Sequence, residues 1–412
     1  MYSSNPKRDN KFAYILIIII VKIFMYHFFR RVEHLFWLFF SYIVRCFTRV
    51  HKKRILCWSY YYTKYSCNPK YITEYLIANH SGEYEIYWCF NKDIVIENIP
   101  ASVKIVRRRS WKYLWILNTS EFVFSNARIN FWKSSFLKRK GQKYIMTWHA
   151  GMGLKKVEKD AEQMLSIGYL KSAKYDSSIC DLMISGSRYM TDTIRRAFWY
   201  NGKILECGTP RNDIFFQDHT KLKRQIFDRY GIPSDAKILL YAPTFRVDLN
   251  LQYYKFEWKD VLVNLEHKFG SPIYVFLRLH PNFYSNKMSV SDIHLDERMR
   301  DLTLYHDMQE LLCIADILVT DYSSSMFDFA LLKKPCLLYA LDYETYDRGT
   351  CFKLSQLPFP YATSNDDFIR IIDCFDEQDF HKRLLDFNKE VVGSYEKGCA
   401  CEEIYLWMRG VE

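Results

Sequence analysis

The chain has 412 residues, 49% hydrophobic, 25% charged and 17% aromatic, which excludes a disordered chain and exceeds what one ordinary core encloses. Lysine plus arginine total 58 against 47 acids, and the net charge of +11 favours anionic partners (nucleic acid, anionic lipid or phosphorylated substrate) without choosing among them. The 12 cysteines are scattered and form no pair of CxxC motifs, so the pattern argues against zinc and a disulfide scaffold and reads as reduced thiols packed in a core.

The N-terminus opens with an unbroken apolar run of ten, Phe12 to Val21, which Lys22 interrupts before Ile23 to Phe29 resumes it. A second, aromatic-rich run spans Leu35 to Val44, and Arg45, Arg49, Lys52, Lys53 and Arg54 follow. A spanning helix needs about 20 mostly apolar residues, and a lysine near its centre is costly. No small-residue cleavage site follows, so a signal peptide fits poorly. Residues 1–53 therefore read as a membrane-associating helical segment. It lies in the interface or dips into it as a hairpin, with its basic flank on the anionic cytoplasmic leaflet. Spanning and monotopic arrangements both stay open, and an ordinary buried helical hairpin is the plainer alternative.

From Arg54 onward short apolar runs alternate with helical spacing. Strands are expected at 55–60, 84–90, 103–106, 121–125, 143–147, 181–185 and 203–207, with helices at 70–79 and 189–198. The pattern restarts after Asp213. A helix over 221–230 ends at Gly231, and strands follow at 237–242, 273–279, 316–320 and 335–340, with helices at 258–269 and 324–332 between them. Such alternation predicts an α/β chain with parallel sheets in two Rossmann-like domains, 54–217 and 218–412, and an interdomain cleft. Ligands in open α/β sheets bind at the carboxyl ends of strands, so residues just after strands are the candidates.

Five constellations follow strands. His149 ends a strand and is followed by Ala150, Gly151, Met152 and Gly153; a histidine there could take a proton from a hydroxyl, and the glycines let backbone amides approach a ligand. A partly exposed turn histidine is the equally weighted plain reading. His280 follows a second strand and precedes Pro281, which stops the strand; it could hold a phosphate oxygen or protonate a leaving phosphate. Thr320, Asp321, Tyr322, Ser323, Ser324 and Ser325 bring hydroxyls to a helix start, which suits a pyrophosphate as well as a helix cap. Arg246, in Ala242-Pro243-Thr244-Phe245-Arg246, could clamp phosphate in a bidentate way. Gly208-Thr209-Pro210-Arg211-Asn212-Asp213 marks the junction of the halves. The remaining histidines show no metal spacing, and no P-loop, GxGxxG, GxSxG or nucleic-acid module is present.

These motifs, in this order over roughly residues 54 to 375, resemble the CDP-glycerol glycerophosphotransferase family, the teichoic-acid primases and polymerases. WHAGMGLKK resembles its WHGTPLK, and SGSRYMTDTIRRAFWYNGKILECGTPRNDIF its segment ending in G-x-PRND. LLYAPTFR, LRLHP and ADILVTDYSSSMFDFALLKKPCLLYALDYETY resemble three more. The resemblance implies a GT-B-type fold with the active site between two domains. It implies His149 as the base on the acceptor hydroxyl, and His280 as a residue that binds the donor pyrophosphate or assists departure of CMP. Arg246, Thr320, Ser323 and Ser324 would hold donor phosphates, while Asp321, Asp328, Gly151 and Arg211 would support them. No metal or other cofactor is implied. The reaction would carry a polyol phosphate from CDP-glycerol or CDP-ribitol to a lipid-linked or capsular polymer at the cytoplasmic face of the membrane. A GT-B glycosyltransferase using a nucleotide sugar is the alternative. Ala150-Gly151-Met152 replaces the family's Gly-Thr-Pro, and Pro358-Phe359-Pro360 its PGP, departures that bear on which polyol is used.

Overall fold

In β1 (His51–Trp58), Ile55 and Cys57 enter one core while Leu56 and Trp58 enter another. Burial on both faces belongs to a parallel sheet covered by helices on each side. The computed structural model describes residues 6–130, 136–246, 251–254, 256–279, 297–346 and 349–411, with only the backbone at residues 6–20, 23, 24, 26, 27, 30 and 251. The first half continues with β2 (Glu85–Phe90), β3 (Lys104–Arg107), β4 (Ser120–Ser125), β5 (Lys143–Met146), β6 (Leu182–Ile184) and β7 (Lys203–Leu205). They pair in the order β3-β2-β1-β4-β5-β6-β7, every ladder parallel.

The second half repeats the winding. β8 (Lys237–Tyr241), β9 (Ile273–Leu277), β10 (Met299–Asp301), β11 (Ile317–Thr320), β12 (Cys336–Tyr339) and β13 (Tyr361–Ala362) pair in the order β10-β9-β8-β11-β12-β13, again parallel throughout. In each sheet the order reverses beside the first strand, and that reversal opens a crevice at the strand ends. The two Rossmann-like halves expected from the sequence are therefore present. β10 and β13, only three and two residues long, were not expected, because runs that short carry no readable alternation.

The chain crosses between halves twice. It leaves the first sheet through the 3-10 turn Pro210–Phe216. It returns through residues 393–399, and the last helix, Ala400–Arg409, places Ala400, Cys401 and Ile404 in the core that holds Ile55 and Trp88. The expectation that everything after residue 218 packs with the second half fails for this helix. Between the halves, Lys70 is buried with Nζ 2.5 Å from Asp307 and 3.1 Å from Glu310. Removing one partner of such a buried pair typically costs about 3–5 kcal/mol. Lys156 N–H donates to Gly349 O at 3.2 Å and Cys351 N–H to Leu154 O at 2.7 Å, a second tie.

The N-terminal runs form one helix, Pro6–Phe47, not a hairpin. No glycine or proline falls between residues 7 and 47 to break it. One face packs on the helix Trp111–Thr119: Phe40 meets Trp111 at 4.8 Å, Ser41 is buried, and Arg45 Nε donates to Asn118 Oδ1 at 2.8 Å. Another face leaves Val21, Met25, Phe28, Val32, Leu35, Phe39 and Tyr42 exposed or nearly so, spaced alternately four and three residues apart. Among the described residues no helix is long and apolar enough to cross a membrane.

Candidate active site

His149 sits in the loop after β5. The loop is held by its main chain: Asn68 Nδ2 donates to Thr147 O at 2.9 Å and to Trp148 O at 3.0 Å, and Arg211 Nη1 donates to His149 O at 2.5 Å. Trp148 adopts φ 51°, a left-handed conformation that a bulky residue takes only when its surroundings impose it. The imidazole itself is half-buried, with Nδ1 3.0 Å from Asn126 O. Burial lowers its pKa to about 4, the Asn126 carbonyl opposes that shift, and Arg211 adds to it. His149 is therefore neutral at pH 7.

Gly151, two residues on, lies where a Cβ would stand 3.0 Å from Thr209 Oγ1. A side chain at this position would crowd the close approach of the two loops. Arg211 reaches from the junction into this crevice. Its Nη2 lies 2.6 Å from Asp328 Oδ2, so one guanidinium joins the His149 loop to the second half. Burial would lower the Arg211 pKa, but Asp328, the Cys67 thiol and Tyr60 more than offset it, and the group stays charged. Asn212 Nδ2 and Gln309 Nε2 also donate to Asp328, at 3.3 and 3.1 Å.

On the second half, Asp321 accepts from Thr244 N–H at 2.9 Å, from the Thr244 hydroxyl at 2.5 Å and from Tyr322 N–H at 2.5 Å. Arg246 is buried, with Nε 2.6 Å from Asp342, Nη2 2.9 Å from Asp321 and Nη1 donating to Thr244 O at 2.7 Å. These contacts make it the clamp of its own loop rather than an open phosphate fork. Thr320 is fully buried and donates to Ala242 O at 2.7 Å, so its hydroxyl points into the sheet rather than toward a ligand. Ser323 and Ser324 remain half-buried at the head of the short helix Ser325–Ala330. The Ser323 hydroxyl oxygen accepts from Ser325 N–H at 3.3 Å, while Ser324 makes no side-chain cap. Asp328 lies on the same helix, so the serine turn is tied through Arg211 to the His149 loop. His280 lies outside the described residues.

Two functional candidates escaped the sequence reading. Asn126 follows β4 as His149 follows β5, so the strand-end rule that flagged the histidine could have flagged it too. Glu396 had no such signal, since it reaches the site from the return crossing. Its Oε2 accepts from Thr209 N–H at 3.0 Å and its Oε1 from Asn212 Nδ2 at 3.2 Å.

Two parallel sheets with one winding order and a double crossing between them define a GT-B-like fold. The chain belongs to the CDP-glycerol:poly(glycerophosphate) glycerophosphotransferase family, whose pattern it matches over residues 39–408. It is 33% identical to the teichoic acid poly(glycerol phosphate) polymerase of Bacillus subtilis (strain 168) over 80% of its own length and 45% of that protein's. The chain thus spans less than half of that relative. The protein of the same name from Bacillus spizizenii (strain ATCC 23059 / NRRL B-14472 / W23) is 34% identical over 72% of this chain and 76% of its own. Among solved structures, a histidine-to-asparagine variant of the wall teichoic acid polymerase TagF, soaked for 15 minutes with CDPG, superposes with a TM-score of 0.78 at 28% identity, covering 99% of this chain and 98% of that one.

Burial, reinforced by Asp328, pushes the Glu396 carboxyl up to about 7. A carboxyl raised in the folded state contributes stability that is complete below its unfolded pKa, near 4.3, and is lost as pH rises through about 7. Glu396→Gln removes that titration. Thermal melts should show the variant gaining on the wild type by several degrees between pH 5 and pH 8; a difference in Tm that is the same at both pH values contradicts the assignment.

Proposed function

We propose that this chain transfers glycerol phosphate, or a related polyol phosphate, from a CDP-activated donor to the hydroxyl end of a lipid-linked teichoic-acid-like or capsular polymer. The observation that carries the reading is His149, neutral and held by its main chain, in a crevice tied by Arg211 and Asp328 to a serine turn of the second half. Family membership supports the reaction class. In this reading the acceptor hydroxyl oxygen attacks the β-phosphorus, its proton passes to His149 Nε2, and the bond from phosphorus to the CMP oxygen breaks, with CMP keeping the electron pair. Catalysis then rests on positioning and charge stabilisation, as is general for phosphoryl transfer.

The first half, 54–217, takes the acceptor and the second, from 218, the CDP donor. Ser323 and Ser324 hold donor phosphates, and His280 holds the pyrophosphate or assists departure of CMP. Asp321 and Arg246 keep the serine turn rigid from behind. In the free protein a base with a pKa of about 4 stays unprotonated at any working pH. A bound pyrophosphate brings negative charge that raises it toward the range where a base is effective.

The exposed stripe from Val21 to Tyr42, with Lys22, Arg31, Arg49, Lys52 and Lys53 exposed on or just after the same helix, suits an anionic membrane surface at the cytoplasmic face. Phe28→Glu with Phe39→Glu should reduce co-sedimentation with phosphatidylglycerol vesicles at least tenfold. Unchanged co-sedimentation sinks the membrane reading.

CMP release tests the reaction. The protein is offered CDP-glycerol and, separately, CDP-ribitol, with membranes as the acceptor source. Release from one donor identifies the polyol, and His149→Ala should lower it by about 10²–10⁴. The acid limb of kcat/KM should lie below pH 5 rather than near 6.5, because a depressed pKa keeps the base unprotonated to lower pH. A folded protein that releases no CMP from either donor contradicts the proposal and points to nucleotide sugars.

A further inference from the structure

Asn126 is completely buried at the carboxyl end of β4, the strand that pairs with β5. Its carbonyl oxygen lies 3.0 Å from His149 Nδ1. A carbonyl can only accept, so Nδ1 carries the proton and the lone pair stays on Nε2. Its side-chain Oδ1 accepts from Tyr60 N–H at 2.8 Å. Tyr60 begins a run of three left-handed residues, with Tyr60, Tyr61 and Tyr62 at φ 43°, 57° and 71°. Left-handed backbone is strained for residues with a bulky side chain, and strain of this kind collects at functional sites. The Tyr60 ring stands edge-on to the His149 imidazole with centroids 6.1 Å apart. Asn126 Nδ2, meanwhile, is buried and has no partner among the described residues, a leftover donor that is costly unless something meets it.

We infer that Asn126 is a positioning residue for His149: its carbonyl fixes which ring nitrogen is free to accept a proton, and its side chain locks that carbonyl to the strained tyrosine turn bordering the imidazole. The inference rests on His149 being the base. A carbonyl held on one side only would let the imidazole exchange tautomers, and a base in the wrong tautomer presents N–H where it must accept. The tyrosine turn cannot be held by an apolar residue at 126, because its first N–H would lose its acceptor. Because one residue carries both bonds, the acceptor-side wall and the base keep a fixed spacing.

Nitrogen NMR on the full-length protein labelled with ¹⁵N-histidine reads this directly, with the His149 signals assigned by their loss in His149→Ala. At pH 7 the wild type should show a single Nδ1–H form. Asn126→Ala should show a mixture of tautomers, an acid limb of kcat/KM moved further down because the carbonyl that opposes the effect of burial is released, and kcat reduced roughly 10–100-fold with KM for CDP-glycerol within about twofold, the size of loss typical of a displaced base. Asn126→Asp, which keeps an oxygen for the Tyr60 N–H, should return the Nδ1–H form. An Nε2–H form in the wild type overturns the inference even if the variants fail to fold, and so does an Asn126→Ala protein with wild-type tautomer and wild-type acid limb. If His149→Ala releases CMP at the wild-type rate, the base reading falls and this inference with it. If His149→Ala is dead while Asn126→Ala is indistinguishable from wild type, only the positioning role falls.

Discussion

The guanidinium of Arg211 is the constraint on which the rest of the site depends. It is buried at the junction of the halves, and its planar fork divides between Asp328 of one half and the His149 carbonyl of the other. The main-chain N–H of Arg211 donates at 3.1 Å to Asn68 Oδ1, and the amide nitrogen of Asn68 grips the two carbonyls before His149. A lysine could not serve both directions, since a point charge on a flexible stem lacks the rigid fork. A buried charge is tolerated only when paired and hydrogen-bonded, so the crossing at residues 210–216, the short helix carrying Asp328 and the loop carrying His149 must arrive together. The crossing between the halves is thereby tied to the loop that carries His149.

Electrostatics separates the two sides of the crevice. On the first half burial keeps the imidazole neutral, with the Asn126 carbonyl at Nδ1. On the second half the ionised groups are paired behind the serine turn: Asp321 and Asp342 with Arg246, and Tyr322 stacked on Tyr346 at 3.7 Å. Half-buried Ser323 and Ser324 are left in front of that rigid block. In the proposed reaction the transferred group would lie between the imidazole and these hydroxyls, where positioning outweighs any single contact.

Much of this was legible in the sequence, and the reasons are local. Strands such as Glu85–Phe90 and Lys237–Tyr241 show as apolar runs because both faces are buried, and Gly231, at φ 64°, ends its helix as its position suggests. His149 was legible because it follows a strand. Arg246 and Thr320 followed strands too, yet Arg246 turned to Asp342 and Asp321 and Thr320 to the Ala242 carbonyl, because strand-end placement does not say which way a side chain points. Lys70 with Asp307, and Glu396 with Thr209, are far apart in sequence and meet only because the chain crosses twice. Of the tyrosine turn only Tyr60 was read as strand, at the end of 55–60, since an aromatic residue carries a strand propensity that its bond to the Asn126 side chain overrides.

The most direct test of the account is a crystal structure of the His149→Ala protein soaked with CDP-glycerol. The account predicts the pyrophosphate against Ser323 and Ser324, with the β-phosphorus turned toward the space the imidazole vacates and the Arg211–Asp328 pair intact. Donor bound elsewhere, or bound only after Arg211 has released Asp328, would contradict it.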